Sequence, residues 1–159
     1  MKDWKRFVAV LALFGVMTTG FCPLAAAAEK PASQPVIQYD EDGFYSVTTI
    51  LYSKQQIDNS ARATEQKTEG EKRIDTYDES HQLLWTLWVY GTFTYNGSSA
   101  RATSATYSYQ IYNSDWTFKS GRAYCSGASA IATATFQSSQ NTSKTTTVRL
   151  TCSPTGQLS

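Results

Sequence analysis

Side chains that could act as acids, bases or nucleophiles are few in this chain, and their spacing suits turns better than catalysis. The one histidine, His81, ends the run Asp78-Glu79-Ser80-His81, where an acid, a hydroxyl and an imidazole stand together. Consecutive residues cannot bring a base onto a nucleophile in triad geometry, so the run reads as a turn. Glycoside hydrolysis needs two carboxylates across a cleft. Here the acids crowd into the polar first half, a poor platform for precise geometry, and only Asp115 lies beyond residue 80. Asp40-Glu41-Asp42-Gly43 lacks the ligand spacing and closing glutamate of a calcium loop and also reads as a turn. A single imidazole excludes metal sites built on two, and Cys125 and Cys152, without a neighbouring histidine, make a poor zinc site. The expectation is a non-enzymatic protein with no catalytic residue, no metal and no cofactor.

Aromatic side chains are the better candidates. Between Leu83 and Tyr95, the residues Leu83, Trp85, Leu87, Val89, Phe93 and Tyr95 share one parity, broken only by Gly91. Period-two patterning with an apolar face predicts a strand packed on a core. A strand this long predicts a bend or bulge at Gly91. Trp88 and Tyr90 then point away from the core and form a candidate ligand-binding shelf for a sugar ring or a partner protein. Asn96-Gly97 marks a hairpin. A two-residue loop sets Trp85 opposite Ser108. A three-residue loop with left-handed Gly97 sets Trp85 opposite Tyr107 and Leu87 opposite Ala105, and it is preferred because both strands then share an apolar face. In that register Ser104 and Ala102 flank the shelf.

The elements that must carry this strand are also β-rich. Phe44 to Tyr52 reads as a strand after the Asp42-Gly43 turn. Trp116, Phe118, Arg122 and Tyr124 share a parity, and a turn follows near Ser126-Gly127. Ala128, Ala130, Ala132, Ala134 and Phe136 line one face of the next strand, a small-residue stripe suited to lie under bulky aromatics. Gln137 to Lys144 reads as a polar loop, and Thr146, Val148, Leu150 and Cys152 alternate in a last strand. Residues 54–72 hold too few apolar side chains for a helix and read as a solvated loop or an edge strand. The sum is an all-β, antiparallel β-sandwich of six to seven strands over residues 44–159, with no substantial helix in the mature chain.

The chain is 159 residues long, enough for one domain with a tail. Charged residues make up 17% and aromatics 13%, the reverse of a disordered composition, and a net charge of +1 argues against a nucleic-acid partner. Residues 1–28 read as a signal peptide. Lys2, Lys5 and Arg6 form a basic start, no charge occurs from Phe7 to Ala28, and Ala26-Ala27-Ala28 offers small residues for cleavage after Ala28. Gly15, Gly20 and Pro23 argue against a retained membrane anchor, so the expected location is extracellular. Residues 29–43 read as a flexible N-terminal leader. Charge is divided unevenly: residues 29–79 carry 11 acids and 6 bases, and residues 80–159 carry 1 acid and 5 bases. Cys125 and Cys152 remain after cleavage, an even pair in an oxidising compartment, and are a candidate disulfide. Cys152 shares parity with Val148 and Leu150, and Cys125 with small Gly121 and Ala123.

The run Leu84-Trp85-Thr86-Leu87 through Gly91-Thr92-Phe93-Thr94-Tyr95-Asn96-Gly97-Ser98-Ser99, with Asp115-Trp116-Thr117-Phe118 and Val148-Arg149-Leu150-Thr151-Cys152, resembles an uncharacterised family of small secreted β-proteins from Gram-positive bacteria. The resemblance spans roughly residues 45–159 and implies export and β-architecture, with no activity attached. A weaker likeness is to secreted bacteriocins with a β-sandwich fold. Two functions follow as expectations: binding of a cell-envelope glycan or extracellular protein through exposed aromatics, or a bacteriocin-like antagonistic role.

Overall fold

Alternating residues that can fill a face from opposite sides generate two sheets. The computed structural model describes residues 34–56 and 65–159. The expected signal peptide, its cleavage point after Ala28 and the start of the leader lie outside the described residues. Eight strands follow one another: β1 (Val36–Tyr39), β2 (Tyr45–Gln56), β3 (Gln66–Tyr77), β4 (Leu83–Tyr95), β5 (Ala100–Ile111), β6 (Trp116–Ser126), β7 (Ser129–Ser138) and β8 (Ser143–Thr151). Sheet A has the order β1-β2-β3-β4-β5 and sheet B the order β6-β7-β8, with every pairing antiparallel. The all-β sandwich expected from patterning is the observed architecture, with seven strands from residue 45 onward and one before it.

That extra strand corrects the reading of residues 29–43 as a leader. Val36 to Tyr39 pair with Thr48 to Tyr45, and a turn at Asp40–Gly43 joins the strands. Gly43 adopts φ +79°, the left-handed region that glycine enters without a Cβ penalty, and the Asp40 N–H donates to Phe44 O at 2.7 Å. Pairing satisfies the backbone of a segment whose side chains have little to bury.

The core is aromatic at one end and small at the other. Trp85 stacks on Phe136 with ring centroids 4.7 Å apart, and Trp116 lies 4.7 Å from Trp85 in a tilted contact. The buried Trp85 indole N–H donates to Thr146 Oγ1 at 3.1 Å, so its polar end is satisfied. Ala130, Ala132 and Ala134 are buried beside Leu87, Val89 and Phe93, as the alanine stripe predicts. Burying one large side chain of this kind stabilises by about 1.5–3 kcal/mol. At Gly91 the sheets come so close that an added Cβ would stand 2.8 Å from Ala130 Cβ and 2.6 Å from the Phe93 ring.

The polar stretch is the largest correction. Of residues 54–72, 54–56 continue β2 and 57–64 lie outside the described residues. From 66 the chain forms β3, paired to β2 on one side and β4 on the other, an inner strand and not a loop or an edge. Its inward positions are Thr68, Gly70, Lys72, Ile74 and Thr76; all but Lys72 are buried, yet only Ile74 among them is a large apolar residue, so the strand carries no apolar stripe. The β4–β5 hairpin also differs. Gly97 is left-handed at φ +86°, but the loop holds four residues, with the Asn96 N–H donating to Ser99 O at 3.1 Å. With one more residue added by a bulge on β5, Trp85 faces Ile111 and Leu87 faces Tyr109, not Tyr107 and Ala105. The irregularity expected at Gly91 lies one step on, between Thr92 and Phe93. A second bulge, between Phe118 and Ser120, reverses parity along β6: Phe118 faces Phe136, while Arg122 and Tyr124 turn to the opposite face.

The cysteines are not bridged. Cys125 is exposed and Cys152 buried, and both are free thiols. Their parity is as expected, since Cys125 and Leu150 both pair with Ala130 and share its face. However, β7 lies between β6 and β8, so two strand spacings, about 9.5 Å, separate them. That exceeds the reach of a disulfide, about 7 Å between Cα atoms. Burial pushes the Cys152 thiol pKa up, and the thiol donates to Ser153 O at 3.4 Å.

Candidate binding face

Among the described residues, sheet B packs on one face of sheet A and leaves the other as a five-stranded surface. Antiparallel register decides which residues meet there. Trp88 and Tyr90 do lie on this face, as predicted for the shelf. Their partners on β5 are Ser108 and Thr106, not Ser104 and Ala102, because the loop is longer than expected and the bulge between Thr92 and Phe93 adds one more residue on β5. Tyr90 is 37% exposed and shares a 3.1 Å hydrogen bond between its hydroxyl and Ser108 Oγ. Trp88 is partly covered, and its partners across β3 and β5 are Arg73 and Ser108.

Nothing in the sequence pattern indicated the second aromatic group. Tyr39 pairs with Tyr45, and Tyr45 with Tyr77, which lays three tyrosines in a row across β1, β2 and β3. The Tyr45 and Tyr77 rings stack at 4.9 Å with 6° between planes, and Tyr39 lies 5.6 Å from Tyr45. Tyr39, 79% exposed, is the outer end of the row. His81 packs edge-on against Tyr45 at 5.4 Å, with 2.9 Å between its Nδ1 and the Tyr45 hydroxyl. The residues are separated by up to 42 positions, so only register could have brought them together.

The two aromatic groups are about 13 Å apart along the strands, counting four residues from Tyr77 to Arg73, the residue paired with Trp88. Polar groups hold the ground between them. Asp75 is buried and accepts a 2.6 Å hydrogen bond from Thr86 Oγ1, with Arg73 Nε 3.2 Å from its other oxygen. Burial, then the charge of Asp75, raises the pKa of Tyr77, so its phenol stays protonated as a donor at neutral pH. Such a face offers flat rings edged by hydroxyls, by the Arg73 guanidinium beside Trp88 and by the Glu71 carboxylate beside Tyr90.

His81 sits in the turn read from the sequence, with φ +62°. Asp78 Oδ1 accepts the backbone N–H groups of Ser80 and Gln82, each at 2.9 Å. The acid therefore holds the turn and the imidazole faces a tyrosine, an arrangement without triad geometry. Among the described residues, no three His, Cys, Asp or Glu side chains gather as a metal site. Comparison of the chain with protein-family models, with curated proteins and with solved structures finds no match, so the resemblance described above rests on its sequence patterns alone.

Proposed function

We propose that this is an exported, non-enzymatic binding protein whose outer sheet A face engages a glycan of the cell envelope. The observation that carries the reading is the placement of five aromatic residues, Tyr39, Tyr45, Tyr77, Trp88 and Tyr90, on the face of sheet A away from sheet B. Pyranose rings stack on such side chains through their C–H faces, and the Tyr77, Tyr90 and Arg73 polar groups supply hydrogen bonds at the rim. Residues 1–28 support export through their basic start, apolar run and alanine cleavage site. The engagement of Asp78 in its own turn supports a role without catalysis.

Sedimentation with purified cell walls, followed by a glycan array, tests this. Retention on walls should fall ~10-fold in Tyr39→Ala and Trp88→Ala, with the melting transition little changed. No retention on any wall or glycan, or retention indifferent to both substitutions, would overturn it.

A further inference from the structure

Strand β8 is the edge of sheet B, and that edge is recessed. It lies beneath β3 and β4, so β2 and β1 project past it as an overhang. Backbone direction along β8 follows from its end. Thr151 exchanges both backbone hydrogen bonds with Ser159, each 2.9 Å, so its N–H and C=O point away from β7. Alternation gives Arg149, Thr147 and Thr145 the same outward direction. The hydroxyl contacts Thr133–Thr147 at 3.1 Å and Thr135–Thr145 at 3.0 Å agree, because pairs that exchange no backbone bonds bring side chains closest.

Both ends of this edge are closed. At one end the C-terminal residues pair with Thr151. At the other, Lys144 Nζ binds Asp40 at 3.0 Å and also Asp42, and lies 4.6 Å from the Phe44 ring centroid, tying β8 to the β1–β2 turn. Between these stops, Thr145 to Arg149 offer about 17 Å of unpaired edge. An open cleft of about 270 Å³ runs beside it, lined among others by Gln38, Ser46, Ile74, Thr76, Thr145 and Thr147.

Charge identifies the occupant. Lys72 is on the inward face of β3, between Gly70, which abuts Leu150 and Leu158, and Ile74, which shares the cleft with Thr146. That places it over Val148, beside the free edge. It is partly buried and has no hydrogen-bond or ion-pair partner among the described residues. A second copy of the chain does not fit. Two β8 strands paired about a dyad would put both β1–β2 overhangs into the same space. One strand fits.

We infer that β8 accepts a single extended peptide as a fourth strand of sheet B, with an acidic side chain of that peptide against Lys72. Backbone hydrogen bonds to Thr145, Thr147 and Arg149 hold it, and the overhang of β1 and β2 roofs it.

Fluorescence anisotropy with labelled acetyl-Val-Thr-Val-Glu-Val-Thr-Val-amide, and with the same peptide carrying Lys for Glu, tests the assignment. The Glu peptide should bind the purified protein ~10-fold tighter than the Lys peptide, and Lys72→Glu should reverse the order. Thr147→Pro removes one outward N–H while leaving the β7 ladder intact, and should weaken both peptides ~10-fold. Hydrogen exchange on the unmutated protein provides a measurement free of folding effects: the Glu peptide should slow exchange at Thr145, Thr147 and Arg149. Absence of saturable binding, an unchanged order in Lys72→Glu, or protection confined to other strands would each overturn the inference.

Discussion

The two long sides of the sandwich are finished differently. On one, β5 lies over β6. Tyr109 stacks on Phe118 with centroids 4.1 Å apart, and Tyr107 approaches Gly121 so closely that an added Cβ would stand 2.9 Å from its ring. The Ala102 N–H donates to Gly127 O at 2.9 Å, joining the sheets directly. On the other side β8 stops under β3, and the space beyond it is lined by the short polar residues Gln38, Ser46, Thr76 and Thr146 together with Ile74, Phe44 and Trp85. Bulky rings opposite small residues draw two sheet edges together, whereas short polar side chains leave the wider sheet overhanging. One side is completed by the chain itself, and the other presents backbone and charge outward.

The strongest break in this contrast is Phe136→Ala. Phe136 is fully buried, stacks on Trp85, and meets Tyr109 and Phe118 edge-on, both at 6.0 Å, so it ties the closed side to the centre. Its truncation should cost about 3–5 kcal/mol, read as a shift of the urea unfolding midpoint. Gly91→Ala probes the spacing of the sheets without removing anything. The new methyl meets Ala130, which cannot turn aside, and about 1–3 kcal/mol of destabilisation is expected from the same measurement.

Two smaller effects belong to the open side. The hydrogen bond from Lys144, followed by the Glu41 backbone N–H, lowers the pKa of Asp40 below 3.8. A carboxylate lowered on folding contributes stability that is full above its unfolded pKa and is lost as pH falls through its folded value. Burial alone would lower the pKa of Lys144, but its hydrogen bonds to Asp42 and Asp40 outweigh this and raise it above 10.5. Its contribution is therefore present below 10.5 and lost as pH rises through the raised value. Thermal unfolding from pH 2 to 12 should show both flanks, and Lys144→Met should flatten the acid flank.

Lys72→Met should have the smallest effect, and the opposite sign. Burial lowers the pKa of Lys72 below 10.5. Between the lowered value and 10.5 the unfolded chain holds more protons, so stability rises with pH there, and below that window the charge is a constant penalty. The methionine variant should melt ~1–2 °C higher at pH 7, by differential scanning calorimetry, with the gap narrowing at alkaline pH. A lower melting temperature would mean that Lys72 already has a partner.

Local pattern determined much of this protein. The strand Leu83–Tyr95, the alanine stripe of β7, the turn at His81 and the left-handed Gly97 are all consequences of side-chain alternation or of glycine's freedom, which act within a few residues. The outward direction of Trp88 and Tyr90 was legible for the same reason. Strand order and register were not, because they depend on loop length, bulges and the choice of neighbour. A four-residue loop and a bulge beyond it moved the partners on β5, a bulge at β6 turned Arg122 and Tyr124 around, and β7 came between two cysteines of matching parity. The polar β3 was hidden because an inner strand is known by its two neighbours, and its buried positions are filled by Thr68, Gly70 and Thr76 rather than by an apolar stripe. The Tyr39, Tyr45 and Tyr77 row and the recessed β8 edge arise only when distant strands are laid side by side. Tertiary pairing alone brings those side chains and backbone groups into one place.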